Sequence, residues 1–372
     1  MTRFARRPSW TVLWVVIAVA AVLAACDAGP SSRSARPPET DGNLIEDCLL
    51  SASNLIDSGV ARDGIPALTD PPLVGPTADE ADYLADSSRV IGLLVGDTPL
   101  AVPHNILWRH EIINLNDWAG RPIAVTYCPL TGSSLAFDRS AVDGAEFGVS
   151  GLLLDNNLVM FDRRDDESLW PQMIRGARCG PATGTRLEMI PVVEMRWNRW
   201  KALHPETQVL SRETGHRFSY GPRSYPYGPY EQIDNESLLY EETPIDGRRP
   251  PKERVLGIPA GLEGGVALPF RALDNGAAAR VVEVAVGGRT AVVFWDRAAQ
   301  GAMAFEAPTA SFTVTDGQIV DDETGSVWTV EGRAVDGPRE GERLTPIREA
   351  YVAFWFAWAA FQSDTAVWTP SS

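Results

Sequence analysis

From Arg89 to Leu210 the apolar residues fall in short runs, "VIGLLV", "PIAVTYC", "SSLAF", "AEFGVSG", "LVMFD" and "RLEMIP", bounded by Gly, Pro, Asp or Asn. Runs of this length separated by turn residues predict β-strands. Between two of them lies "PLTG", Pro129 to Gly132, which has the composition of a hairpin turn. Two stretches break the rhythm. "HNILWRHEIIN" follows Pro103, a residue accepted at a helix start, and "VVEMRWNRWKALHP" sets Trp197, Trp200 and Leu203 at helical spacing. An aromatic stripe of that kind reads as core.

The same plan returns after Arg254. "RVIGLLVGDTPLAVPHNIL" from Arg89 has a counterpart in "RVLGIPAGLEGGVALPFRAL", and the second helical stretch has one in "EAYVAFWFAWAAFQ", with Trp355, Trp358 and Phe361 as its stripe. Ser168 and Ser326, Trp170 and Trp328, Trp197 and Trp355, Trp200 and Trp358, and Thr207 and Thr365 all stand 158 positions apart. An ordered series at one offset predicts an internal repeat of domain size, over 89–210 and 254–368. The expected fold is therefore α+β, mainly β, with two tandem related β-rich units carrying two short helices each. We place the units at 61–215 and 254–372. The linker between them, 216–253, is rich in Tyr, Pro and Gly, and its five tyrosines suggest that it lies against a surface.

The N-terminus changes the picture of where such a fold works. Arg3, Arg6 and Arg7 precede the apolar run Trp10 to Ala25, whose 16 residues fall short of the roughly 20 that span a bilayer. A basic start, a short apolar run and small residues at its end describe a secretory signal over 1–25. The run closes as "LAAC", similar to the lipobox of bacterial lipoproteins, and that resemblance makes Cys26 a lipidated first residue. Residues 26–60 would then be a tether, and the membrane a partner through the lipid on Cys26, at the cell envelope. Without the leader, 30 basic face 49 acidic residues, a net charge of −19. Nucleic acid is excluded as a partner by that balance.

Candidate chemistry is concentrated in the first unit. Cys128 ends a strand-like run, and a thiol needs a cationic or hydrogen-bonding neighbour to react as thiolate. His110 is the candidate base, with Arg139 and Arg163 as other cations, Glu111 to orient the imidazole and Thr131 to hydrogen-bond the sulfur. In the second unit Trp295 stands opposite Cys128, and the stretch opposite His110 offers no histidine. The contrary reading is a buried cysteine at a hairpin end. Cys48 and Cys179 are candidates for a disulfide in an exported chain, the rival being that Cys179 resolves an oxidised Cys128. The four histidines, His104, His110, His204 and His216, form no zinc motif, and no nucleotide-binding or hydrolase motif is present, so neither metal nor cofactor is expected.

"DGIPALTDP", "WRHEIIN", "VTYCPLTGS", "FGVSGLL", "LVMFDRRDDESLWPQ" and "FWFAWAAF" together resemble the DUF3179 family from about Asp63 to Trp368. The family has no established reaction, and some members carry selenocysteine near the Tyr-Cys-Pro-Leu motif, which implies redox use of the position around Cys128. Many relatives read Cys-Pro-Leu-Cys, whereas Thr131 stands fourth here, so a dithiol cycle within the motif is ruled out. Asp162, Ser168, Trp170 and Gln172 are polar residues shared with the family. Because Ser168 and Trp170 recur in the second unit, we read them as determinants of the fold. Two functions are expected from these features. One is an exported, membrane-anchored thiol oxidoreductase or peroxidase-like protein using Cys128 with an envelope thiol or redox partner. The alternative is a non-catalytic envelope binding or scaffold module.

Overall fold

Among the described residues strand takes 42 % and helix 11 %, so the fold is mainly β, as the short apolar runs predicted. The structure, a computed structural model, describes residues 48–51, 54–240, 245–261 and 264–370, all within one compact unit. The expected signal segment 1–25, the lipidation site Cys26 and the first part of the tether lie outside the described residues.

Among the described residues the strands make five sheets. The largest runs in the order 68–69, 112–118, 121–128, 133–138, 351–354, 254–259, 264–269 and 364–367, with 188–190 added beside 133–138. Strands of the two predicted units meet in it, where Val352 pairs with Ser134. A five-stranded sheet packs strands 192–196, 89–95, 98–103, 208–210 and 73–74 side by side. "PLTG" is the turn of a hairpin, with Cys128 opposite Ser133 across its mouth. Gly132 has φ +60°, and a Cβ there would lie 2.7 Å from the ring of Phe354, so this turn needs glycine on both counts.

The helices are shorter than the apolar pattern predicted. Helix α1 spans His104–His110 and stops because Glu111 takes φ 58°, after which strand Ile112–Trp118 begins. Helix α2 covers only Trp197–Leu203, because Val192–Arg196 pairs as a strand with Arg89–Val95. That strand is buried on both faces, Glu194 included, and Val193, Trp197 and Trp200 keep helical spacing through its end, so the run is ambiguous from sequence. Helices α3, Phe270–Leu273, and α4, Trp355–Phe361, follow in the second half.

Helices α2 and α4 are each pinned by one tryptophan. Trp200 lies so close over Gly92 that a Cβ there would be 2.1 Å from its ring, and its indole N–H donates to the Thr207 hydroxyl at 2.8 Å. Trp358 meets Gly257 at the same 2.1 Å and donates to Thr365 at 2.9 Å. Trp170 and Trp328 donate to the carboxylates of Asp162 and Asp321, at 2.7 and 3.1 Å. Ser168 and Ser326 accept backbone N–H bonds from Ala182 and Arg339. Buried indoles seek such partners, so these side chains set where their strands lie. Beside Ser168 and Trp170, a Cys48–Cys179 disulfide bridges 131 positions and ties the chain's first described residues to the loop after strand 169–171, where Cys179 pairs with Leu169.

Gly92→Ala drives a methyl group into Trp200 and is expected to cost about 1–3 kcal/mol. A lowered urea midpoint with unchanged slope checks it, and Gly257→Ala should behave alike.

Candidate functional site

Cys128 is the last residue of strand Arg121–Cys128 and is 1 % exposed, packed in the main apolar cluster with Leu130, Tyr230 and Phe354. Its thiol donates a long bond to the Asn156 carbonyl at 3.6 Å. Burial pushes the thiol up to about 11; Glu111 pushes it the same way, and hydrogen bonding from Thr131 pulls it back only in part. A thiol in that state is overwhelmingly protonated at neutral pH.

The residues expected to activate it are placed differently from the sequence reading. His110 spends both ring nitrogens elsewhere. Nδ1 is 2.7 Å from the Pro66 carbonyl, which can only accept, and Nε2 is 2.7 Å from the Tyr220 hydroxyl. Burial lowers the imidazole to about 4, so it is neutral, with the rings of His216, Phe218 and Tyr220 around it. Glu111 therefore does not orient His110. Its backbone N–H closes helix α1 on Leu107, its carbonyl accepts from Tyr127, and the left-handed turn sends the chain back into the sheet. The carboxyl is buried beside Cys128 and Tyr227, and burial raises it to about 8. Arg139 clamps the carbonyls of Leu115, Ile123 and Gly144, and Arg163 pairs with Asp63. The structure thus brings Cys128, Thr131 and Glu111 together and leaves His110 and both arginines out. Cys179 is held in the disulfide, which leaves Cys128 as the free cysteine among the described residues.

Behind the turn lies a polar knot in which Thr126, Thr131, Ser133, Asn157 and Gln172 are all fully buried. Asn157 Nδ2 donates to Thr131 Oγ1 at 3.0 Å and to Gln172 Oε1 at 2.8 Å; Ser133 donates to Gln172 at 2.6 Å, and Gln172 Nε2 to Thr126 at 2.8 Å. Every polar side chain there has a partner, as burial demands. Thr131 and Gln172 hold this turn in shape.

Sequence reasoning missed two features. The first is Glu194, fully buried between the guanidinium groups of Arg89 and Arg254, with Ser134 donating at 2.7 Å and the His104 ring lying 3.6 Å away, beyond hydrogen-bond distance. Burial alone would raise its pKa, but the two arginines outweigh that and hold it down to about 2. Burial lowers His104 to about 3, and this neutral ring stacks on Tyr127 at 4.1 Å. No local motif announces a cluster whose members stand 60 to 105 positions from Glu194. The second is the cover over the Cys128 turn. Tyr225 donates to the Pro129 carbonyl at 2.9 Å, Tyr230 is buried against Cys128, and Asn156 exchanges hydrogen bonds with the backbone of Tyr240. Lys252 secures it, donating to the Ser237 carbonyl at 2.7 Å with its ammonium 4.0 Å from the centre of the Tyr230 ring. The run of tyrosines was the available signal.

Among the described residues no three His, Cys, Asp or Glu side chains are placed to share a metal ion. A family model, DUF3179, a protein of unknown function, matches residues 62–365. No curated protein and no solved structure matches the chain.

Glu111 makes stability depend on pH with a definite sign. Its carboxyl ionises near 4.5 when exposed and near 8 when folded, so rising pH across that window favours the unfolded chain. Glu111→Gln should leave stability at pH 4 nearly unchanged and raise it at pH 9, by up to about 1.4 kcal/mol for each unit of the window. Urea unfolding at the two pH values reads the difference.

Proposed function

Given that the chain belongs to the DUF3179 family, we propose that it is an exported, lipid-anchored envelope protein acting as a non-catalytic binding or scaffold module. The sealed thiol carries this reading: Cys128 is 1 % exposed, no cation among the described residues lowers it, and burial pushes it up to about 11. Thiol catalysis asks for the reverse, an accessible sulfur with a lowered pKa. The repeated tryptophan, glycine and threonine contacts support descent of the body from two copies of one β-rich unit, in which Cys128 occupies a core position that Trp295 fills in the second. The acidic balance argues against nucleic acid as the partner.

A second reading keeps thiol redox chemistry, because one observation favours it. What closes over Cys128 is the tyrosine segment rather than the sheet alone. Were that segment to lift, Cys128 would reach peroxide or a partner disulfide, with the backbone N–H of Thr131 left to hydrogen-bond its thiolate.

Alkylation of Cys128 against pH, followed by peptide mass spectrometry, decides between them. We expect the native thiol to resist iodoacetamide and dilute peroxide until the protein is denatured. Native alkylation with an apparent pKa below the free-thiol value of about 8.5, together with a sulfenic acid or mixed disulfide at that peptide, would overturn the scaffold reading. Anchoring is tested separately. Cys26→Ser should move the protein from the detergent phase to the aqueous phase on cloud-point partition, and loss of a lipid-bearing N-terminal peptide should accompany it.

A further inference from the structure

A cleft of about 790 Å³ opens between helix α2 and the loops of the second half, well within the size range of small-molecule sites. Its floor is apolar, with Leu203, Ile319, Trp328 and Val330, while Arg196, Arg199 and Arg297 stand along its wall. Two carboxylates share that wall and are already engaged. Arg297 Nε donates to Asp274 at 3.0 Å, and Arg199 reaches Asp296 at 2.7 Å through one terminal nitrogen. The Nε of Arg199 is buried without a hydrogen-bond partner. Arg196 makes no ion pair and no side-chain hydrogen bond among the described residues. The wall therefore carries one positive charge in excess, plus an orphaned buried donor, in a chain whose net charge is −16.

We propose that this cleft binds an amphipathic organic monoanion, a carboxylate carried on a compact apolar body. The carboxylate matches the planar fork of a guanidinium, and Arg196 supplies the one fork left free. The floor takes the apolar body. Charge count selects against a dianion, since a second negative charge would face Asp274 and Asp296 with no cation to offset it. The inference rests on the binding-module reading and supplies its ligand class.

The test is calorimetric titration of the full-length mature chain carrying Cys26→Ser, which needs no detergent, with 4-phenylbutyrate as probe. One molecule should bind per chain, weakening as salt is raised. The neutral amide of the same acid and phenylpropyl phosphate should each bind at least tenfold more weakly. Arg196→Gln should weaken 4-phenylbutyrate at least tenfold, and Arg196→Lys should retain part of the affinity, both with the thermal midpoint of the parent. Absence of binding at millimolar concentration, equal binding of amide and acid, or an Arg196→Gln variant that binds as the parent does would each overturn the proposal. Cys128 alkylation is read on the same sample. A sealed thiol with no titration sinks only the cleft, whereas a reactive thiol sinks the module reading whatever the titration shows.

Discussion

A single buried carboxylate organises this molecule. Glu194 sits fully out of water between Arg89, at the head of one strand, and Arg254, at the head of another 165 positions later. Desolvating three charges is expensive, and such a cluster adds little over an apolar filling of the same shape. Its force is in specificity: removing Glu194 leaves two guanidinium groups without their shared carboxylate in the core, at a cost of about 3–5 kcal/mol. The requirement couples the five-stranded sheet, through Arg89 and Glu194, to the nine-stranded sheet, through Arg254 and Ser134.

The state of Cys128 follows from that arrangement. Ser134, which donates to Glu194, lies one residue beyond Ser133, the residue paired with Cys128 across the hairpin. Neighbouring strand residues face opposite ways, so Ser134 ties one face of the hairpin to the charge cluster while Ser133 ties the other to Asn157 and Gln172. The turn is then rigid, dry and lined by groups that favour a neutral thiol: an apolar cluster, tyrosine rings and a carboxyl group. Arginine is plentiful nearby in sequence, yet Arg139 and Arg163 are consumed in clamping loops. Thr131 stands where a second cysteine would make a redox pair, and its hydroxyl is committed to Ser133 and Asn157.

Much of the scaffold was legible from the order of residues. The strand runs around Cys128, the hairpin at Pro129–Gly132 and the burial of Trp197, Trp200, Trp355 and Trp358 all follow from local pattern, because side-chain periodicity reports which face meets the core. The helix limits were not legible. Val193, Trp197 and Trp200 keep helical spacing through the end of strand Val192–Arg196, so period could not separate strand from helix, and the end of α1 depends on Glu111 adopting a backbone angle that its residue type does not favour.

What the sequence by itself determined is therefore the kind of element at each place and the apolar side chains it buries, since these depend on near neighbours along the chain. Only the tertiary structure decided which groups meet. His110 looked like a partner for Cys128 by proximity in the sequence and is instead spent on Pro66 and Tyr220, while Glu194, unremarked in its strand, holds the two sheets together. Reactivity and charge state depend on what lies within a few ångströms in space. Here those neighbours arrive from positions 44 to 110 residues away for His110, and 60 to 105 for Glu194, distances at which no local pattern carries information.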